Sequence, residues 1–188
     1  GFLRKSIVIV PAAAFAATGC TKEVTTTVIP PGPSSPTTGP NSGTAYNPAF
    51  FNPGEWAFIK AAVARLIPSD DTGPGAIEAG VPEFIDRQMD AAFGHAATWY
   101  MHGPFVESPP EFGYQGKLAP RDVYRAGIAA CDTYCKSTFS GKTFTQLDAA
   151  QQDQALKSME SGEAKFDTLS SKTFFGFLLQ NTKEGYLS

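Results

Sequence analysis

The residues of this chain whose types and spacing invite chemistry are a run of carboxylates, a pair of histidines and two closely spaced cysteines. Asp70, Asp71, Glu78, Glu83 and Asp86 fall in one stretch, Leu66 to Asp86, that is dense in Asp, Gly and Pro. Such a run could hold calcium or magnesium, but the oxygen-ligand spacing of an EF-hand loop is missing. The competing reading is structural: Asp70 and Asp71 make turn and cap hydrogen bonds, while Glu83 and Asp86 face solvent early in a helix whose dipole favours them. His95 and His102 flank Trp99-Tyr100-Met101, without a partner at ligand spacing and without a Cys-x-x-Cys-His heme attachment sequence. A placement role at a partner surface suits them better than metal. Gly73-Pro74-Gly75 lacks the Walker lysine and the Rossmann glycine spacing, and no Gly-x-Ser-x-Gly elbow occurs. No catalytic, cofactor-binding or metal-ligating residue is therefore expected in this chain.

Cys131 and Cys135 stand four apart on a predicted helix, which puts them on one face with Cα atoms about 6 Å apart, within disulfide range. A bridge between them is one expectation and a bond from one of them to another subunit is the rival. A redox-active pair ranks third, because the two-residue spacing of such motifs is absent.

Helices must position these groups. Fifteen Phe in 188 residues and a 42% hydrophobic composition supply a core, whereas a net charge of -3 offers no basic field for nucleic acid. Asn52-Pro53-Gly54-Glu55 reads as cap, first-turn proline and third-position glutamate. Trp56, Ile59, Val63, Leu66 and Ile67 then recur at helical spacing until Pro68 stops the run. Ala76 to Ala79 predicts a single turn ended by Gly80, and Pro82 starts a helix through Phe84, Ile85, Met89, Ala92 and Phe93. Gly94 to Gly116 is irregular and rich in aromatics. Its Trp99, Tyr100, Met101, Phe105, Phe112 and Tyr114 are the candidate partner interface. Pro120 opens a further helix with Val123, Tyr124, Gly127, Ile128, Cys131 and Cys135 in phase. A loop at Phe144 to Asp148 leads to a polar, exposed helix from Ala149 to Met159. Thr168 to Leu187 gives the last helix, with Leu169, Phe174, Phe177 and Leu178 on its buried side. No segment alternates with period two, so the expected fold is all-α: a small irregular helical domain, residues 49–188, behind a long Pro/Thr/Ser-rich N-terminal arm.

Residues 1–20 have the basic patch, short apolar region and small-residue end of an export leader. Phe2-Leu3-Arg4-Lys5 further resembles the part of a twin-arginine signal that follows its arginine pair, which implies that two arginines precede Gly1 and that the first few residues are missing. The apolar run from Ile7 to Thr18 is shorter than the roughly 20 residues of a spanning helix and is broken by Pro11. Ala17-Thr18-Gly19-Cys20 is similar to a lipobox, making Cys20 a candidate lipidation site. Residues 21–48 are an extended linker or wrapping arm, too polar and proline-rich to bury a core. The expected location is the periplasmic side of the bacterial inner membrane, an oxidising setting in which a cysteine bridge persists.

Leu66-Ile67-Pro68-Ser69-Asp70-Asp71, Gly73-Pro74-Gly75-Ala76, Glu78-Ala79-Gly80-Val81 and Phe84-Ile85-Asp86 together resemble the gluconate 2-dehydrogenase subunit 3 family, the gamma subunit of the membrane-bound enzyme. Trp99-Tyr100-Met101, Gly103-Pro104-Phe105, Phe174-Phe175 and Gln180 to Tyr186 extend the resemblance from about Asn47 to the end, and the family pattern continues past Ser188. The resemblance implies a division of labour: a large subunit carries FAD and oxidises the sugar acid, and a multiheme cytochrome c subunit passes electrons to quinone. The small subunit holds no cofactor and escorts the flavoprotein through twin-arginine export. The rival reading is a free-standing periplasmic lipoprotein module that binds a small ligand through the 94–116 loop.

Overall fold

A computed structural model describes residues 46–106 and 109–188. The leader, Cys20 and the linker up to residue 45 lie outside the described residues. Among the described residues there are five α-helices and no strand: α1 (Pro53–Leu66), α2 (Val81–Asp90), α3 (Pro120–Thr138), α4 (Ala149–Ser161) and α5 (Ser171–Leu187), with short 3-10 turns at Pro110–Phe112 and Phe144–Gln146. The domain is all-α, as the missing period-two alternation predicts. No described helix is long and apolar enough to cross a membrane.

Local chemistry sets most of the helix starts. Asn52 accepts from the amides of Gly54 and Glu55, both at 2.9 Å, while Glu55 reaches back to the Asn52 amide at 3.0 Å, a reciprocal capping box. Asp148 caps α4 in the same way through Gln151. Ser170 caps α5 by accepting from the Thr173 amide at 3.1 Å, so that helix starts at Ser171 and not at Thr168.

Two other expectations are corrected. The second helix stops at Asp90 and does not continue through Phe93. Ala91 leaves it in an extended conformation, and the chain doubles back so closely that a Cβ at Gly94 would collide with the Met89 backbone. The fourth helix is polar but not simply exposed. It buries Ala155, Leu156, Ser158 and Met159 against α5 and α1, and it is tied to α1 by a bidentate Arg65–Asp153 pair with both bonds at 2.8 Å.

The core forms around α5, which packs on all four other helices. Phe174 sits 6.0 Å from both Phe58 and Tyr124, and Phe58 in turn lies 4.8 Å from Phe144, measured between ring centroids. Apolar burial of such rings dominates the stabilisation of a domain this size. The Tyr124 hydroxyl, buried with them, donates to the Phe177 carbonyl at 3.3 Å and accepts from Asn181 at 3.1 Å. Burial pushes its phenol well above the ordinary tyrosine range.

Candidate functional site

The acidic stretch divides into a turn and an anchor. Asp70 accepts from the Thr72 amide at 2.8 Å and from its hydroxyl, and exchanges backbone hydrogen bonds with Gly73 at 3.2 and 3.3 Å. The Thr72 bonds hold its carboxyl below the usual carboxylate value. Glu78 accepts from the Gly75 amide at 3.1 Å, and Asp71 is exposed. These are turn contacts of the kind the sequence predicts for Asp70.

Glu83 and Asp86 do not face solvent as expected. Asp86 is fully buried. Its Oδ1 accepts from the amides of Phe50 and Phe51 at 3.1 and 3.0 Å, and its Oδ2 accepts from the Ala49 amide at 2.7 Å and the Tyr46 hydroxyl at 2.8 Å. The reason is register. Asp86 shares the inner side of α2 with Val81, Pro82, Ile85 and Met89, and residues 46–51 fold over it, bringing amides that no helix satisfies. Burial, then the bond to Asp86, raises the Tyr46 phenol above its ordinary value. Glu83 is half-buried, and its Oε2 is enclosed without a hydrogen-bond partner. Cationic faces reinforce the anchored segment: Arg121 and Arg125 lie 4.8 and 4.4 Å from the Phe50 ring, and Arg87 lies 5.4 Å from Tyr46.

His95 and His102 are both exposed. His95 lies against the Arg121 guanidinium, and His102 lies 5.5 Å from Tyr100. The described residues bring no group of three His, Cys, Asp or Glu side chains to one point. The Cys131 and Cys135 sulfurs sit 4.0 Å apart as free thiols, both fully buried. Their mutual contact, then burial, pushes the Cys131 thiol well above its ordinary value.

The six interface candidates separate into supports and contacts. Trp99 and Tyr114 are half-buried. Trp99 rests edge-on against Phe93 at 5.9 Å and lies 6.2 Å from Tyr114, which packs on Phe177 of α5 at 5.1 Å. The Tyr114 hydroxyl closes the loop on itself, donating to the Leu118 carbonyl at 3.0 Å and accepting from the Leu118 amide at 3.1 Å. Burial raises its phenol above the ordinary value. On this base Met101 is half-buried, whereas Tyr100, Phe105 and Phe112 stand 83%, 45% and 69% exposed. Val106, absent from the sequence candidates, joins them at 68%. A cleft of about 490 Å³ opens between Tyr100, Phe105 and Tyr114.

A second groove, about 720 Å³, runs beside it between the loop and α5, sharing Trp99 and Tyr114. The sequence reading missed it. Its one legible signal is that Lys172, Gly176, Gln180 and Glu184 recur every fourth residue along the last helix, as an outer stripe that the apolar pattern leaves unused.

A family model described as gluconate 2-dehydrogenase subunit 3 matches residues 53–188. No curated protein and no solved structure matches the chain.

Proposed function

Since this chain belongs to the gluconate 2-dehydrogenase subunit 3 family and is thereby a subunit of a multi-subunit dehydrogenase complex, we propose that it is the non-catalytic small subunit of that complex. It docks on the FAD-bearing catalytic subunit, faces the periplasm, and escorts that subunit through twin-arginine export. A multiheme cytochrome c subunit completes the assembly and takes the electrons. FAD and c-type hemes belong to those partners and none to this chain.

The observation that carries this reading is the loop from Trp99 to Tyr114. Four large apolar side chains, Tyr100, Phe105, Val106 and Phe112, stand exposed on one segment, and the segment is held from beneath by the Trp99–Tyr114–Phe177 stack. Exposed aromatics on a rigid base are the composition of an interface centre, and water is a poor neighbour for them. The leader-like residues 1–20 support the export half of the reading through sequence alone.

The test has two arms. Replacing Tyr100, Phe105 and Phe112 together by Ser is expected to abolish co-purification of the flavoprotein while leaving this domain folded. Deleting residues 1–20 is expected to leave gluconate-oxidising activity in the cytoplasm. Full periplasmic activity without the leader refutes the escort role, and undiminished co-purification of the triple variant refutes the docking loop.

A further inference from the structure

Beyond the first turns of the helices the described chain places three glycines inside helices: Gly127, Gly176 and Gly185. Two of them are seats for aromatic rings. A Cβ at Gly127 would run into the ring of Phe174, and one at Gly185 would meet the ring of Phe84 at 2.7 Å. The bare backbone at each lets a ring come up close against a helix, joining α5 to α3 at the first seat and to α2 at the second.

Gly176 is the same kind of position with no ring on it. It is exposed, and a Cβ built there meets nothing within 4 Å. Glycine inside a helix weakens it relative to alanine, and nothing in this chain's own packing asks for glycine at 176. The groove around it is nevertheless lined with aromatic rings. Gly176 lies in the 720 Å³ groove, whose wall is Phe93, Trp99, Tyr114 and Phe177. Lys172 and Glu184, one turn before and two turns after Gly176 on the same stripe, also line it.

We propose that Gly176 is the seat for an aromatic side chain of the flavin-bearing catalytic subunit, inserted from outside onto the bare backbone of α5 as Phe174 is inserted onto Gly127 from within. The inference rests on the reading of the 99–114 loop as the docking face, because groove and loop share Trp99 and Tyr114. The two charges give the incoming segment a polarity: an acidic group beside the ring faces Lys172 and a basic one faces Glu184. A ring laid between that aromatic wall and the bare backbone of α5 is withdrawn from water, as the anchors of an interface hot spot are.

Gly176→Ala separates this role from a structural one, because the two effects have opposite signs. In the full chain the substitution is expected to raise the melting temperature by about 1–4 °C, since alanine favours helix and meets nothing. It is also expected to weaken competition with the wild-type chain for the flavin-loaded catalytic subunit by about tenfold or more. Gly176→Trp, which fills the groove from inside, is expected to abolish capture. Unchanged capture by both variants overturns the seat. If the Tyr100, Phe105 and Phe112 triple variant loses capture while both Gly176 variants keep it, the docking loop stands and the seat alone is wrong. If Gly176→Trp instead disperses a self-associated form and leaves capture intact, the occupant is a second copy of this chain and the proposal fails.

Discussion

Removing the Asp86 carboxylate is the sharpest test of how the domain is held together. Asp86→Ala strips partners from the amides of Phe50 and Phe51, which are buried, and from the Ala49 amide and the Tyr46 hydroxyl, which are nearer solvent. A buried amide left unpaired costs about 1–3 kcal/mol, while a partner that water can replace costs about 1 kcal/mol or less. Two of each kind sum to about 2–8 kcal/mol. At about 4 °C per kcal/mol for a domain of this length, the melting temperature falls by about 8–32 °C. Asp86→Asn keeps one oxygen for the Phe50 and Phe51 amides but turns an NH2 toward the Ala49 amide, so about 1–3 kcal/mol, or about 4–12 °C, is lost. Tyr46→Phe removes one hydrogen bond and lowers the midpoint by about 4 °C. Circular dichroism melts give the order, and limited chymotryptic digestion gives the cause, since the Phe50–Phe51 segment becomes cleavable only when its anchor is gone. A loss below about 4 °C for Asp86→Ala, or equal losses for Ala and Asn, would refute the reading of Asp86 as a multiple acceptor.

Other outcomes follow from the same geometry. Gly127→Ala places a methyl group inside the Phe174 ring's space and is expected to cost about 1–3 kcal/mol in urea melts, opposite in sign to the gain at Gly176. The Arg65–Asp153 pair holds the Asp153 carboxyl below its ordinary value, chiefly through the Arg65 hydrogen bond. Its contribution is thus present above the ordinary carboxylate value and disappears as pH falls through the lowered one. Because the pair is over a third exposed on the Asp153 side, it is worth only about 0.2–1 kcal/mol. Asp153→Asn should flatten the acid limb of the stability profile by that amount, and an unchanged limb counts against the pair. Cys131 and Cys135 are expected to resist a small alkylating reagent in the native chain and to react on unfolding, because both are enclosed and the Cys131 thiol is held protonated. Mass spectrometry after native labelling reads this directly, and rapid native labelling would contradict their burial.

What was legible in the sequence was what neighbouring residues decide. The Asn52 and Asp148 capping boxes are complete within four residues, so the starts of α1 and α4 could be read to the residue. The inner face of α3 was equally plain, because Val123 to Cys135 repeat at helical spacing in one uninterrupted run. Asp86 was not legible. Its partners stand 35 to 40 residues away, in a short non-helical segment, and a carboxylate in an amphipathic helix ordinarily faces water. The stop of α2 at Asp90 was hidden too, since Ala91, Ala92 and Phe93 all suit a helix and the turn is imposed by the close approach at Gly94. In the 99–114 loop the aromatic residue types were plain, but Phe93 and Phe177, outside the loop, determine which rings pack beneath and which stay exposed.

That dependence on α5 joins fold and proposed function in one element. Phe174, Leu178, Asn181 and Gly185 on its inner side are fixed by rings and hydrogen bonds from α1, α2 and α3, so substitutions there are felt as lost stability. Lys172, Gly176, Gln180 and Glu184 on its outer side meet the groove, and Gln180 donates only to Glu184, at 2.7 Å. The outer stripe can therefore change without disturbing the core. Phe177 couples the two sides, because it packs under Trp99 and Tyr114 while its carbonyl accepts from the buried Tyr124. Truncating Phe177 should consequently lose stability and partner capture together.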